Sequence, residues 1–280
     1  MIKEKAYAKI NLFLNVLSKR PDGYHEMDMV MTPLKLHDLL TFKKIKENKV
    51  EIISNKQITE NNEDNVIYKV ASFIMSEFEI KEGVEINIKK NIPIAGGLAG
   101  GSADAAATIR GLNRLFKLGM KFDEMAELGI GFGADIPFCI YNKLAIVQGV
   151  GDKIQFINAK LKAYVLLVNP QVPVLTQAVF ENLDPNEFSN RNYTEMVQGL
   201  RNRDVGKVMN NLYNFMESTT FRLEPKVKDI KNELQELGTK GVLMSGSGAT
   251  MFVLNRKKKY LENIVSQLNG AYYTVLTKIL

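Results

Sequence analysis

Residues 93–104 form the stretch of this sequence best suited to hold an anion, because four of the twelve residues are glycine. Glycine adopts left-handed dihedrals without strain, and a run of such residues lets successive backbone N–H groups point toward one ligand. A helical pattern begins at Ser102, and a helix N-terminus adds unpaired donors and the positive end of its dipole. The stretch predicts a site for nucleotide phosphates. A tight turn that lets a helix pack on a sheet is the alternative.

The elements on either side of this glycine loop can be read from their periodicity. Apolar and polar residues alternate over residues 84–89, as in a half-buried strand. After the glycines, a helix is predicted over residues 102–117, with Ser102 or Asp104 as its N-cap. No Lys-Ser or Lys-Thr pair follows the glycines, so the loop is not of the Walker A type.

The N-terminal segment carries the next two candidate residues, Lys9 and Asn11. Alternation over residues 6–17 places apolar side chains on one face of a strand and these two polar side chains on the other. Their position favours a cleft in which a substrate hydroxyl meets a transferred phosphoryl group. An edge strand with a solvated face is the alternative.

Two further segments could complete such a site. Residues 133–139 place the carboxylate of Asp135 beside an apolar run. A partly buried carboxylate needs a partner, and a cation such as Lys9 would keep it ionised; a helix cap or a turn is the alternative. Residues 241–250 form a second loop of small residues between two apolar strands. This segment predicts either a glycine-rich hairpin turn or a backbone segment that packs against the first loop.

Composition excludes several classes of protein. The 280-residue chain has a net charge of +6, one cysteine and two histidines, so neither a disulfide framework nor a His/Cys metal cluster is predicted. It contains no run of about eighteen apolar residues and no signal-peptide pattern, so we expect a cytoplasmic protein with no membrane partner. The lysines are scattered rather than gathered on one stripe, and nucleic acid is not an expected partner.

The predicted elements divide into two halves near residue 156. Strands are predicted at residues 6–17, 38–43, 50–53, 84–89, 145–148, 164–168, 242–244, 250–254 and 272–277. Helices are predicted at residues 66–78, 102–117, 122–128, 176–182, 194–200, 205–215, 225–237 and 258–268. This order predicts an α+β protein in which each half has a mainly antiparallel sheet covered by helices.

Taken together, these segments resemble the GHMP kinases, the superfamily of galactokinase, homoserine kinase, mevalonate kinase and phosphomevalonate kinase. The resemblance rests on a strand motif at residues 8–12, on the glycine loop, and on a Gly-Ser-Gly loop at residues 246–248. Motifs at residues 20–26, 36–38 and 133–138 resemble those of the member that phosphorylates a cytidine diphosphate-linked polyol in the non-mevalonate isoprenoid pathway. The resemblance spans the whole chain and is weakest over residues 180–235.

The resemblance implies a role for each candidate residue. Asp135 would be the general base on the substrate hydroxyl, Lys9 would stabilise charge on the hydroxyl and the moving phosphoryl group, and Asn11 would hold the substrate. A cytosine pocket would have an aromatic ring above and below the base and a histidine at its edge; its residues would be Tyr24, His25 and Phe180. ATP would be bound by Asn65 near the adenine and, around the phosphates, by Pro93, Ile94, Ala95, Gly96, Gly97, Leu98, Ala99, Gly100, Gly101, Ser102 and Ala103.

The resemblance also implies a two-domain fold, with an ATP-binding domain at residues 1–156, a second domain at residues 157–280 and the active site in the cleft between them. The activity would be transfer of a phosphoryl group from ATP to the 2-hydroxyl of the polyol. Mg²⁺ would arrive with ATP, with no metal site of the protein's own, and the chain would be a monomer or homodimer. Two alternatives are a GHMP kinase for a homoserine- or mevalonate-type alcohol, and a diverged relative that binds ligand without catalysis.

The glycine loop departs from the family pattern at three positions. Ala95, Ala99 and Ala103 stand where the pattern has Gly, Gly and Ser. Alanine resists positive φ angles. Either these positions need no such angle, or the loop has a different shape from that of the family.

Overall fold

The structure, a computed structural model, describes residues 1–268 and 270–280 and divides into two compact units. Unit 1 contains Met1–Ala8, Leu36–Ile94 and Ala99–Asn142, and unit 2 contains Lys9–Lys35, Ala95–Leu98 and Lys143–Leu280. The units are therefore built from interleaved stretches, and the glycine loop supplies residues to both. The domain boundary predicted at residue 156 follows the chain and stays a prediction.

Along the described residues, runs of one to three strands are followed by runs of one to three helices. The strands are β1 Ile2–Lys19, β2 His25–Ile45, β3 Val50–Ser54, β4 Gly83–Lys89, β5 Ala145–Gly149, β6 Lys153–Phe156, β7 Tyr164–Asn169, β8 Tyr213–Asn214, β9 Val242–Met244, β10 Met251–Asn255 and β11 Tyr273–Lys278. The helices are α1 Val66–Glu77, α2 Gly100–Phe116, α3 Phe122–Ile130, α4 Ile136–Tyr141, α5 Thr176–Glu181, α6 Thr194–Arg201, α7 Val205–Asn210, α8 Glu217–Leu223, α9 Pro225–Glu236 and α10 Lys258–Gln267.

Unit 1 is a small sheet with helices packed on it. The second half of β2 pairs antiparallel with β4, and β3 pairs with β4 in parallel. Helix α2 lies close to this sheet, because a Cβ atom on Gly111 would come within 2.4 Å of the Phe42 ring. This close approach fixes the height of α2, and hence of its N-terminus, above the strands.

Unit 2 contains a second set of paired strands. β10 pairs antiparallel with β7 and β9, and β11 pairs antiparallel with β7. The first half of β2 pairs antiparallel with β5, which in turn pairs antiparallel with β6. β8 pairs in parallel with β1, with Phe13 opposite Tyr213 and Leu14 opposite Asn214. The last of these pairings brings the segment after α7 against the strand that carries Lys9.

The predicted fold class is confirmed, with corrections of detail. Both units are α+β, the strand pairs of unit 2 are mainly antiparallel, and the apolar face predicted for β1 is buried. The pairs β3–β4 and β1–β8 are parallel, because alternation identifies a strand without giving its direction. The helix predicted at residues 205–215 is wrong: α7 ends at Asn210, and β8 and α8 follow. Within the described residues, no helix is long and apolar enough to cross a membrane.

Candidate functional site

Lys9 and Asn11 lie side by side on one face of β1 in unit 2. Lys9 Nζ donates a hydrogen bond to Asn11 Oδ1 at 2.8 Å, and Asn11 Nδ2 lies 3.4 Å from Met29 Sδ. The exposed fractions of the two residues are only 4% and 0%. The alternative of a solvated edge strand is therefore wrong, and a buried ammonium group is held here in a defined direction.

The two glycine-containing loops meet in unit 2. The Lys9 N–H donates to Leu98 O at 3.1 Å, and Ser245 Oγ donates to Gly97 O at 2.9 Å. Gly97 has a φ of +71°, and a Cβ atom there would lie 2.0 Å from Ser245 O. Only glycine permits this approach of one backbone to the other. The packing predicted between the loops is confirmed.

The loop at residues 245–248 is supported by neutral side chains that the sequence reading missed. Asn214 Nδ2 donates to Met244 O at 2.8 Å and to Gly246 O at 2.7 Å. Thr220 Oγ1 donates to Ser247 O at 3.1 Å. No motif marks Asn214 in the sequence, since its importance comes from the β1–β8 pairing that places it.

This supported loop lies next to the Lys9 ammonium group. A Cβ atom built on Gly246 would be 3.5 Å from Lys9 Nζ and 3.0 Å from Gly97 O. A buried cation thus stands among close-packed backbone with no bulky side chain between them. Such an arrangement suits anionic oxygens, which accept hydrogen bonds from both ammonium and amide groups.

In unit 1, helix α2 begins at Gly100, two residues earlier than predicted. Its N-cap is Ala99, with a left-handed φ of +54° and no side-chain capping bond. The prediction that Ser102 or Asp104 caps this helix is wrong, because both lie inside it. Among the described residues, nothing lies within 4 Å of a Cβ atom built on Gly101, so this side of the first turn is open. First-turn N–H groups have no partner inside a helix, which leaves this end able to bind an anion.

The alanines of the loop keep the backbone shape that glycine would allow. Ala95 and Ala99 have φ angles of +52° and +54°, in the left-handed region. Ala103 is different: it is buried in α2, and its N–H donates to Ala99 O at 2.8 Å. Two of the three positions thus hold a conformation that costs an alanine about 1–2 kcal/mol.

Asp135 occupies the N-cap position of α4, also in unit 1. Its side chain is half-buried and makes no capping hydrogen bond to the helix, so the cap interpretation does not account for the carboxylate. A Cβ atom on the neighbouring Gly133 would lie 3.9 Å from Ser102 Oγ. The segment that carries Asp135 therefore lies against the first turn of α2.

The predicted cytosine residues are partly assembled in unit 2. The His25 and Phe180 rings stack with centroids 5.0 Å apart and an interplanar angle of 25°, and Phe188 meets His25 edge-on at 6.2 Å. Tyr24 is 64% exposed. Burial, together with the charge of Lys19, lowers the pKa of His25 and so favours the neutral imidazole. His25 covers one face of Phe180 here, and Phe188 is an aromatic neighbour that the sequence reading missed.

Asn65 has a structural partner. It is buried, and its Oδ1 accepts a hydrogen bond from the Ile67 N–H at 3.0 Å as the N-cap of α1. The carboxamide Nδ2 keeps its donor capacity. The cap explains the residue type without a ligand, and a role near adenine stays a prediction.

The remaining loop residues differ in exposure. Ile94 and Ala95 are exposed, whereas Gly96 and Leu98 are buried.

Among the described residues, no group of three or more His, Cys, Asp or Glu side chains could hold a metal ion. Ser102 is half-buried and lies in the first turn of α2.

Known proteins resemble the chain along nearly its whole length. The GHMP kinases N terminal domain matches residues 65–143, and the GHMP kinases C terminal domain matches residues 196–274. A Staphylococcus epidermidis protein named "Putative 4-diphosphocytidyl-2-C-methyl-D-erythritol kinase" is 44% identical over 270 residues, which cover 96% of each chain.

Solved structures share the fold. A crystal structure of 4-(cytidine 5'-diphospho)-2C-methyl-D-erythritol kinase superposes with a TM-score of 0.84 at 27% identity and covers 99% of both chains. A homoserine kinase from Cytophaga hutchinsonii has a TM-score of 0.72 at 16% identity over 100% of this chain and 96% of its own, a likeness of fold alone. Because both family domains match and a relative is 44% identical over 96% of its length, the chain belongs to the GHMP kinases.

Proposed function

We propose that this chain is an ATP-dependent kinase that phosphorylates the 2-hydroxyl of 4-diphosphocytidyl-2-C-methyl-D-erythritol. The observation that carries the proposal is the Lys9 ammonium group, buried beside two close-packed glycine loops in a chain whose 44% identical relative bears that substrate's name. Phosphoryl transfer needs positioning and charge stabilisation more than covalent chemistry from the protein. In this proposal, each of the residues below contributes either to positioning or to charge stabilisation.

Asp135 is the proposed general base. The substrate hydroxyl oxygen forms a bond to the γ-phosphorus, the bond from that phosphorus to the bridging oxygen of ADP breaks, and the hydroxyl proton passes to the carboxylate. The support for this role is the half-buried side chain, which does not cap α4. Lys9 would stabilise the negative charge that spreads over the transferred group.

The first turn of α2 is the proposed holder of the ATP phosphates. Its N–H groups at Gly100, Gly101 and Ser102 meet no side-chain cap, and Gly101 leaves the approach open. We infer that Mg²⁺ arrives with ATP and meets the Ser102 hydroxyl, since this ion keeps several of its waters. When bound, it would neutralise phosphate charge. The left-handed φ angles of Ala95 and Ala99 favour a loop of the family shape over a diverged one.

His25 is the proposed reader of the cytosine. A neutral imidazole offers one donor and one acceptor, the combination that matches the edge of a pyrimidine. The lowered pKa of His25, caused mainly by burial, favours this neutral form. Tyr24 and Phe180 would supply aromatic faces, and we infer that the His25 ring leaves the face of Phe180 when the base enters.

The proposal is tested by ATP consumption with Mg²⁺ and each of three alcohols: the cytidyl substrate, homoserine and mevalonate. We expect turnover with the cytidyl substrate alone. Asp135→Ala should lower kcat by roughly 100- to 10,000-fold, the usual contribution of a general base. Asp229→Ala, an exposed aspartate on α9, is the matched control and should behave as wild type.

The other outcomes choose between the alternatives. Turnover of homoserine or mevalonate would retain the kinase and replace the substrate. A folded protein that binds ATP but consumes none with any of the three alcohols would favour the non-catalytic relative. Wild-type turnover in Asp135→Ala would remove the base assignment while leaving the substrate assignment intact. Cytoplasmic location and a monomeric or homodimeric state belong to the same proposal.

A further inference from the structure

Unit 1 contains a buried cluster of three charged residues that the site described above does not use. Lys90 Nζ lies 2.6 Å from Asp104 Oδ2 and also donates to Asp38 Oδ2. The side chains of Lys90, Asp38 and Asp104 are 4%, 0% and 1% exposed. Lys90 follows β4, Asp38 lies within β2, and Asp104 lies near the start of α2, so the cluster joins three elements.

Asp38 holds the segment that leads into the glycine loop. Its Oδ1 accepts a hydrogen bond from the Ile92 N–H at 2.8 Å and another from the Asn91 N–H. The side chain of Asn91 donates to His37 O at 2.8 Å. The two residues that precede Pro93 are therefore fixed in direction by one carboxylate and one neighbouring carbonyl.

Asp104 and Lys90 hold the other end of the loop. Asp104 is the fifth residue of α2. Its partner Lys90 lies beneath the start of this helix, since a Cβ atom built on Gly100 would be 3.6 Å from Lys90 Nζ and 3.2 Å from Ile92 Cγ2. The same ammonium group therefore sits against the first turn of α2, which is open on the side of Gly101. Moving it would move both ends of the loop.

Stability alone is a poor reason for this cluster. Taking charges out of water is costly, and well-packed apolar residues often hold a core as well as a buried ion pair does. One cation here faces two carboxylates, and burial raises the pKa of Asp104 to about 7. Within the described residues, Asp104 Oδ1 has no hydrogen-bond partner. Charged hydrogen bonds fix the direction of the groups that they join, whereas apolar packing does not.

We propose that Lys90 is a positioning residue for the ATP phosphates, holding the entry to the glycine loop and the first turn of α2 through Asp38 and Asp104. The inference rests on the proposed kinase function. Lys90 touches neither nucleotide nor alcohol in this role. Its effect is on the direction of the backbone N–H groups that meet the phosphates, and so on nucleotide binding in particular.

The test is Lys90→Met, which keeps an unbranched apolar stem and removes the charge. We expect the KM for ATP, and the Kd for ATP with Mg²⁺ measured by calorimetry, to rise roughly 10- to 100-fold, as for a small misplacement of binding groups. The KM for the cytidyl alcohol should stay within about twofold. Lys90→Arg should recover part of the ATP affinity, because it restores a cation in the cluster.

Lys89→Met is the matched control, since Lys89 is the adjacent lysine and is exposed. It should bind ATP as wild type does. Equal ATP affinity in folded Lys90→Met and in wild type would overturn the proposal. An equal rise in the KM values of ATP and of the alcohol would also overturn it, because a general loss of structure would have that effect.

If Lys90→Met does not fold, Asp104→Asn decides the question, because it keeps the Lys90–Asp38 pair and the shape of the side chain. A KM for ATP that rises at least threefold, with an unchanged KM for the alcohol, supports the positioning role; unchanged ATP affinity overturns it. Wild-type protein that fails to bind ATP would instead overturn the proposed kinase function, and the inference with it.

Discussion

Two glycine-containing backbone segments are supported in opposite ways in the two units. In unit 1, the start of α2 rests on the buried ions Lys90, Asp38 and Asp104. In unit 2, the loop at residues 245–248 is held by neutral groups, the Asn214 carboxamide and the Thr220 hydroxyl. The charged support fixes direction at the cost of desolvation and responds to pH, whereas the carboxamide and hydroxyl of the neutral support do not titrate.

The difference also shows where glycine itself is required. Gly97 is required by contact, since the backbone of Ser245 occupies the space of its Cβ atom. Gly101 has no such neighbour in the part of the chain that the structure describes, and a side chain would fit there. A glycine such as Gly97 is needed for close packing within the protein, whereas one such as Gly101 leaves space for a ligand beside the backbone.

The largest expected effect is that of Gly97→Ala in unit 2. The new Cβ atom would meet Ser245 O at 2.0 Å and Gly248 O at 2.9 Å, at a φ of +71°. We expect the free energy of unfolding to fall by about 3 kcal/mol, from overpacking and left-handed strain together. Chemical denaturation measures it.

Gly101→Ala is the control for that change. Its stability should stay the same or rise by up to about 1 kcal/mol, because alanine is the better helix former. Similar losses in the two variants would mean that the glycines are equivalent and that the contact at Gly97 is unimportant.

The next effect tests the neutral support in unit 2. Asn214→Ala leaves Met244 O and Gly246 O without their donor and the Met216 N–H without its acceptor. The free energy of unfolding should fall by about 2 kcal/mol, equally at pH 5.5 and 7.5. Asn190→Ala, an exposed asparagine, should change it by less than about 0.5 kcal/mol. A pH-dependent loss in Asn214→Ala would contradict the assignment of a neutral support.

The ionic support in unit 1 should reveal itself through pH. Because the pKa of Asp104 is raised to about 7, the folded protein holds a proton that the unfolded chain releases near pH 4. Wild type should therefore lose stability relative to Asp104→Asn as pH rises from about 5 to 7, by up to about 1.4 kcal/mol per pH unit. The difference should level off above about pH 8.

Urea unfolding of both proteins across this pH range measures the slope. Asp229→Asn, on the exposed face of α9, should run parallel to wild type. A wild-type curve parallel to that of Asp104→Asn would mean that Asp104 stays ionised throughout, with Lys90 compensating its burial in full.

The smallest effects concern the alanines of the glycine loop. Ala99→Gly in unit 1 and Ala95→Gly in unit 2 relieve left-handed strain, partly offset by the greater freedom of glycine in the unfolded chain. Each should raise the free energy of unfolding by about 0.5 kcal/mol. Ala106→Gly, inside α2, should lower it by about 1 kcal/mol. Losses of the same size at all three positions would show that the left-handed alanines carry no strain.

Much of the fold was readable from the sequence where one face of an element is buried. The apolar alternation of β1 and the helical spacing of α2 predicted both elements. The predicted apolar face of β1 is buried, and so is the face that carries Lys9 and Asn11, which alternation did not reveal. The helix predicted through residues 205–215 failed because α7, β8 and α8 are short elements whose limits depend on the pairing of Tyr213 with Phe13. Local pattern carries no information about such a distant partner.

The sequence predicted the motifs of the candidate site but not the residues that support them. Lys9 could be found because a polar pair, here Lys9 and Asn11, is unusual on an otherwise apolar strand. The glycine loop and the second loop could be found because runs of small residues are unusual next to a strand or before a helix. Asp104 was predicted as a cap, the role that a short acidic residue near a helix start most often has. Its partnership with Lys90 depends on how β4 and α2 pack, and Asn214 lies in a segment with no pattern of its own.

The interleaving of the two units has a consequence for synthesis on the ribosome. Residues 9–35 of unit 2 carry most of β1 and the first half of β2, which are neighbours in one sheet, but β5 and β8 lie after residue 142, and Ser245 contacts Gly97 only once most of the chain has been made. The chain from residue 36 to Ile94 can begin to assemble unit 1 while β2 still lacks its partner β5 and β1 still lacks its partner β8. Such a chain exposes apolar strand edges for much of its translation, so its yield in a cell should depend on chaperones and on translation rate.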